Sequence, residues 1–220
     1  MIYFNRQAAG KQLAQALAQY KGSDTVVLAL PRGGVVLASE VARELRAPLG
    51  LVLVRKLGHP SYEEYAIGAV AENDTPIYNS QEIAAMDDAW IKRAESSARL
   101  LIEQRRKLYY GDDFIPPDTT GKLVILVDDG IATGLTMRAA VQSVANNHPK
   151  QLIVAVPVAS QESVNDLEGL VDKVVVLDDP QGFLGAVGAH YREFNQVNND
   201  EVRALLREVN HDLQHSAPSH

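Results

Sequence analysis

The stretch KLVILVDDGIATGLT, residues 122–136, decides the fold. Residues 123–127 form an unbroken apolar run, as expected of a parallel strand covered on both faces, and ligands in such sheets sit beyond the carboxyl ends of the strands. Asp128 and Asp129 stand at that end. Ionised carboxylates only accept hydrogen bonds, so an adjacent pair suits the two hydroxyls of a ribose cis-diol, directly or through a magnesium-bound water. The segment behind them suits an anion. Gly134 lets the backbone turn tightly, Thr133 and Thr136 supply hydroxyls, and the amides opening the next helix converge where its dipole favours negative charge. Acids often end parallel strands for solubility, and a Thr/Gly turn commonly caps a helix, but neither habit accounts for paired acids together with both threonines. The arrangement implies a pocket for a phosphorylated sugar.

The chain has the means to bury one substantial core around that strand, with 220 residues of which 46% are hydrophobic, a length that favours one domain. Its 21 basic and 28 acidic side chains leave a net charge of −7, so any grip on phosphate has to come from local geometry, and broad nucleic-acid binding is disfavoured. The absence of cysteine excludes disulfides, thiolate metal sites and cysteine nucleophiles, and agrees with a reducing compartment. The opening segment, MIYFNRQAAGKQLAQALAQY, lacks the charged start, apolar middle and small-residue cleavage site of a secretory signal and reads as mature protein. No apolar run approaches the roughly 20 residues needed to span a bilayer, so a cytoplasmic protein with no membrane partner is expected.

In residues 5–20, Ala8, Leu13, Ala16 and Leu17 share one helical stripe with Gly22 as a stop. A strand over 25–30, a turn at 31–34, a helix from about 35 to 45 and a second strand over 49–54 follow, the alternation that builds parallel sheets. Residues 55–68 read as a polar loop, 67–78 as a hairpin and 80–110 as a helix with Ser80 as its cap. Pro116, Pro117 and Gly121 mark a linker, after which come a helix over 135–146, a strand over 151–157, a short helix and a strand over 173–177. The expectation is an α/β fold of about five parallel strands flanked by helices. Residues 178–199, rich in Gly, Asp and Asn, should loop over the site before a final helix over 200–213. One domain over 1–210, with its core at about 25–177, would then be followed by a flexible tail over 211–220. On the long helix Ile83, Met86, Trp90, Ala94, Leu101 and Leu108 recur at three- and four-residue steps and predict its packing face. That stripe is narrow, which leaves open a homodimer formed along it.

Two further motifs belong to the same sheet. In LPRGG, residues 30–34, two glycines free backbone amides to approach a ligand while Arg32 offers a planar, permanently charged fork, a combination that fits pyrophosphate. In VRKLGHP, residues 54–60, Arg55 and Lys56 end the second strand ahead of a loop with Gly58 as a hinge, and can neutralise a leaving anion. His59 has no orienting partner in the sequence and receives no role.

Together DDGIATGLT, LPRGG and VRKLGHP resemble the type I phosphoribosyltransferases, enzymes that use phosphoribosyl pyrophosphate (PRPP), and in particular a group of bacterial members without a settled acceptor. The resemblance spans about residues 25–177 in architecture, with its specific motifs in three short segments. It implies the type I fold, a small hood built from the chain ends and residues 178–199, and Mg2+ accompanying PRPP. By this resemblance Asp128 and Asp129 hold the ribose and, through water and PRPP, the metal, while Ile131, Ala132, Thr133, Gly134, Leu135 and Thr136 cradle the 5-phosphate. Arg32 and Gly33 hold the pyrophosphate with Arg55 and Lys56. Glu64-Tyr65 is the nearest counterpart of a Glu-Tyr pair in the mobile loop of adenine-type enzymes, which puts Glu64 beside Asp128 and Asp129 as catalytic, with Glu63 equally placed. Members mostly carry an aliphatic residue where Gly130 stands, so a looser local backbone is expected there. Ala132 matches the alanine of adenine-type enzymes, where hypoxanthine-guanine enzymes carry an aspartate, and VPVAS, residues 156–160, lacks the lysine with which the latter recognise an oxo group. The acceptor is therefore unassigned.

The reaction so implied, a step of nucleotide metabolism, is displacement at the anomeric carbon: pyrophosphate leaves and a ring nitrogen of a base attacks. The 55–68 loop is the natural lid, and Phe183, Tyr191 and Phe194 flank the acceptor, the last two in an alternating stretch that favours packing within the hood. The alternative is a PRPP-sensing regulator of the same fold that binds nucleic acid. The acidic balance argues against it, since the densest cationic run, Arg105-Arg106-Lys107, is short and lies on the long helix.

Overall fold

A sheet covered on both faces needs apolar side chains at every position, and all five residues of the first strand are buried. The computed structural model of the chain describes residues 1–22, 24–72, 74–84, 86–111 and 114–215, with the side chains of Glu63, Glu64 and Gln214 outside that description. Asn5 caps α1 (Arg6–Ala16) by accepting from the Ala8 amide, and β1 (Thr25–Ala29), α2 (Gly33–Leu45) and β2 (Leu49–Leu51) follow. Next come β3 (Val54–His59), β4 (Tyr62–Ala71) and β5 (Ile77–Tyr78), which form a sheet of their own, and then α3 (Ser80–Ile83) and α4 (Asp88–Tyr110). The chain rejoins the sheet of β1 and β2 through β6 (Leu123–Val127), α5 (Leu135–Ala145), β7 (Gln151–Val156), α6 (Gln161–Glu168) and β8 (Lys173–Val176), and α7 (Asn199–His215) follows.

The five parallel strands run in the order β2-β1-β6-β7-β8, with Val27 opposite Ile125 and Ile125 opposite Ile153. Alternate residues feed two cores. Val27, Ala29, Ile125 and Val127 pack with α1, α2, α4 and α7, while Val26, Leu28, Val124 and Leu126 pack with α5 and α6. From β1 the chain builds outward to β2, and from β6 it builds outward to β8 in the other direction. Loops leaving the carboxyl ends of β1 and β6 therefore diverge and open a crevice at this switch point.

Five expectations are corrected. The strand expected over 49–54 is broken, because its first half belongs to the parallel sheet and Val54 opens an antiparallel sheet of order β3-β4-β5. Residues 55–68 are accordingly hairpin strands and not a loop: Leu57 and Val70 share the face that joins the main core, and on β3 the polar neighbours Arg55, Lys56 and His59 mask that apolar position. The helix expected over 80–110 is two helices, since Asn79 caps α3 through the Gln81 amide and Asp87 caps α4 through the Trp90 amide. The inward face of α4 carries Ala98, Ile102 and Tyr109, with Ala94 of the expected stripe packed against the same core, whereas Leu101 and Leu108 are each 39% exposed; the stripe drawn through those two lies about one residue, or 100°, off. Lastly, residues 211–215 are helical, not part of a flexible tail, and residues 216–220 lie outside the described residues. Among the described residues no helix is long and apolar enough to cross a membrane.

Candidate functional site

Asp128 and Asp129 follow β6 directly, at the mouth of the crevice. The Asp129 amide donates to Asp128 Oδ1 at 2.8 Å, fixing the first carboxylate. The second is fixed from a distance: Arg6, on the first turn of α1, donates from Nε to Asp129 Oδ2 at 2.7 Å. Arg6 is itself held, donating to the Asn195 carbonyl at 2.7 Å and lying 3.8 Å above the Phe194 ring. That ring stacks on Tyr191, whose hydroxyl donates to the Asp129 carbonyl at 2.6 Å. Among the described residues Asp128 Oδ2 and Asp129 Oδ1 remain without a partner, one free oxygen on each acid.

The turn after β1 presses against this pair. A Cβ on Gly33 would stand 2.0 Å from Asp129 Oδ2 and 2.8 Å from Arg6 Nε, and one on Gly34 would stand 2.8 Å from the Val127 carbonyl, so only glycine backbone can come this close. The Pro31-Arg32 peptide in the same turn is cis. Burial raises the Asp128 carboxyl well above the usual carboxylate range, the charge of Asp129 adds to it, and the Asp129 amide, Arg6 and Lys56 oppose it. Burial raises Asp129 as well, against its bond to Arg6. Two desolvated like charges side by side favour an incoming cation or a set of hydroxyl donors.

The segment behind the acids is anchored at its base and open at its tip. Ile131 donates to the Val158 carbonyl and accepts from the Ser160 amide, both at 3.0 Å, which seats it in the core. The hydroxyls of Ser160 and Ser163 both donate to the Ala132 carbonyl, at 2.8 and 2.9 Å, while the Ala132 and Thr133 side chains are exposed. Gly134 turns the chain into α5 with φ of 74°, followed by the half-buried Leu135. Thr136 Oγ1 is buried without a partner among the described residues, a state that costs about 1–3 kcal/mol unless a ligand relieves it. At Gly130 a Cβ would meet Val187 Cγ1 at 2.7 Å and Val158 Cγ2 at 2.8 Å. Two valines from elsewhere in the chain fill the volume that an aliphatic side chain would take.

Across the crevice stand the cations. Arg32 and Lys56 are exposed and Arg55 is half-buried. Successive strand residues face opposite sides, and Lys56 accordingly acts on Asp128 while Arg55 acts on Arg105 of α4. Glu64 lies on β4 with its side chain outside the described residues, as does that of Glu63. The neighbouring Tyr65 is exposed and donates to Glu82 at 3.0 Å. His59 accepts from the Ser61 amide at 3.1 Å, a local bond of the hairpin tip.

Arg6, Tyr191, Ser160 and Ser163 are the residues that sequence reasoning missed. Arg6 reads as an ordinary helical cation, and the pairing of the N-terminal segment with residues 190–193 through Tyr3 and Phe4, together with the packing of α1 on α2, brings it to Asp129. A cleft of about 510 Å3 opens beside Arg6, between α1, α2 and α7, and contains neither acid. The three aromatic rings near the crevice pack within the polypeptide, Phe183 against His190 at 5.2 Å and Tyr191 against Phe194.

Among the described residues no group of three or more His, Cys, Asp or Glu side chains forms a cage for a metal. Mg2+ is typically held by one or two carboxylates together with substrate phosphates and waters, and two adjacent acids with a free oxygen each fit that requirement.

The model of the phosphoribosyl transferase domain matches residues 3–192. Proteins from two strains of Mycobacterium tuberculosis, CDC 1551 and H37Rv, each named provisionally as a phosphoribosyl transferase, are 40% identical over 215 residues, 96% of this chain and 48% of their own. The chain thus spans about half the length of the curated relatives it matches. The crystal structure of TT1426 from Thermus thermophilus is 42% identical, with a TM-score of 0.79 over 94% of this chain and 99% of that one.

Proposed function

The chain belongs to the phosphoribosyl transferase domain family, and from that premise we propose that it transfers the 5-phosphoribosyl group of PRPP to a nitrogen acceptor and releases pyrophosphate. The observation that carries the reading is the desolvated acid pair at the switch point, each member fixed by one bond and left with one free oxygen. In the reaction the bond from the anomeric carbon to pyrophosphate breaks, and its electron pair leaves with that group. A bond to the acceptor nitrogen forms, and the nitrogen loses its proton. Asp128 Oδ2 and Asp129 Oδ1 accept from the two ribose hydroxyls and set negative charge beside a ring that turns cationic.

The segment 131–136 holds the 5-phosphate through the amides opening α5, with the Thr133 hydroxyl and the unpartnered Thr136 hydroxyl as donors. Arg32, the backbone of Gly33, Arg55 and Lys56 take the pyrophosphate. Mg2+, held by the acids through water and PRPP, would draw charge from the leaving group. The β3–β4 hairpin shields the sugar from water, and its Glu64, or Glu63 beside it, receives the proton of the acceptor. Arg6 positions Asp129 and touches no substrate atom. Such chemistry suits a cytoplasmic enzyme of nucleotide metabolism.

The test is to incubate the chain with Mg2+, PRPP and a panel of purines, pyrimidines and other nitrogen compounds while measuring pyrophosphate. Release that depends on one acceptor class is expected. PRPP binding with no acceptor-dependent release, together with salt-sensitive RNA or DNA binding, would replace the enzyme by a regulator.

A further inference from the structure

We infer that Arg105 on α4 completes the pyrophosphate site, as a third arginine beside Arg32 and Arg55. The inference rests on the transferase reading above and adds to it a residue from an element that carries none of the family motifs. Ala98, Ile102, Arg105 and Tyr109 follow one another at steps of four, three and four, so they form a single stripe on the helix, and Ala98, Ile102 and Tyr109 are buried in the main core. Arg105 thus takes a position on the inward face where an apolar side chain would serve packing better.

Three other cations of this helix are paired. Arg99 donates to the Asp74 carbonyl at 2.6 Å, Arg106 pairs with Glu72 at 3.1 Å, and Lys107 pairs with Glu103 at 2.9 Å. Arg105 has no hydrogen-bond or ion-pair partner among the described residues. The like charges that act on it are Arg55 on β3, against which α4 packs, and Arg32 on the turn after β1, and both Arg105 and Arg32 also act on Tyr109. Burial and both like charges push its guanidinium below the usual arginine range.

Three neighbouring guanidinium groups repel, and half-burying one of them without an acid partner is costly. An anion with oxygens on two phosphoryl groups removes both penalties, because each planar fork can take a pair of them. Arg32 immediately precedes Gly33, whose backbone abuts Asp129, so the cluster adjoins the acid pair. A pyrophosphate leaving the sugar there meets three forks without moving away from the crevice.

The test titrates the parent, Arg105→Met and Arg105→Lys with magnesium pyrophosphate and, separately, with ribose 5-phosphate, by calorimetry, and records Tm for each. Methionine keeps the buried stem and removes the charge. It should weaken pyrophosphate about tenfold or more, leave ribose 5-phosphate within about twofold, and leave Tm equal or higher, with lysine recovering part of the loss. Pyrophosphate affinity in Arg105→Met within twofold of the parent overturns the inference, whatever happens to Tm. Equal loss of both ligands with a lowered Tm also overturns it, since that is the mark of a structural role. A parent that binds no pyrophosphate at all overturns the transferase reading and this inference with it.

Discussion

At the end of β6 the acids and the segment behind them are held by bonds of 2.6 to 2.9 Å from Arg6, Tyr191, Ser160, Ser163 and the Asp129 amide. Across the crevice Arg32, Arg55, Lys56 and Arg105 have no such partner among the described residues. On the proposed reading, the sugar side is built in advance by the polypeptide, whereas the leaving-group side is a set of charges that the ligand itself must organise. Each arrangement suits its task. Charge that develops during the reaction is best met by groups already fixed, because nothing then has to reorganise as the bond breaks. Pyrophosphate must arrive and depart, and a site assembled around it releases it more readily.

The contrast breaks most directly at Asp129. Asp129→Ala removes an acceptor fixed for the sugar, and kcat/KM for PRPP should fall by about two orders of magnitude or more with folding preserved. Activity within threefold of the parent would show that the prebuilt corner is not where catalysis is set.

Arg6 sharpens the same contrast, because it acts on catalysis only through Asp129. Loss of one charge-assisted bond frees the carboxylate to rotate, and Arg6→Ala should lower kcat/KM for PRPP by about tenfold to thirtyfold, with Arg6→Lys recovering part of it. The effect should fall mainly on kcat, since ribose 5-phosphate can still reach the α5 amides. A faster Arg6→Ala enzyme would mean that Arg6 occludes Asp129 instead of aiming it.

What is legible in the sequence divides along the same line. Asp128, Asp129 and the segment 131–136 are contiguous, and the apolar run before them announces a buried strand, so the acid corner and the five-stranded sheet can both be read directly. Arg6 cannot, because 123 residues separate it from Asp129 and it reaches the acid through contacts of α1 with α2 and of the N-terminal segment with residues 190–193. The β3–β4 hairpin reads as a loop because its alternation is short, polar on one side and interrupted by bulges around Gly58. Arg105 reads as one member of a surface run because the inward face of α4 lies one residue away from the stripe that the spacing suggests. Patterns contained in one segment are visible, and contacts that depend on how segments meet are not.

The cation side should show itself by its response to salt. Exposed charges more than a Debye length apart are screened, about 10 Å at 0.1 M and 3 Å at 1 M, while buried bonds are affected far less. Raising NaCl from about 0.05 to about 0.5 M should weaken magnesium pyrophosphate several-fold and ribose 5-phosphate appreciably less. Equal slopes for the two ligands would erase the distinction between a prebuilt and a ligand-organised side.

The smallest effect concerns Gly130, where the prebuilt corner leaves no spare volume. Its missing Cβ is 2.7 Å from Val187 and 2.8 Å from Val158, and both contacts are methyl groups of β-branched side chains that can shift but not swing clear. Overpacking of this kind costs about 1–3 kcal/mol, and in a chain of this length each kcal/mol lowers Tm by about 2–4 °C. Gly130→Ala should therefore melt several degrees below the parent while keeping its PRPP affinity within about twofold. Val187→Ala opens space at the same point, so the double variant should be less destabilised than the sum of the two single changes. Additive losses would mean that Gly130 is kept for some reason other than Val187, and a neutral Gly130→Ala would mean that the backbone beside the acids yields where the geometry has it rigid.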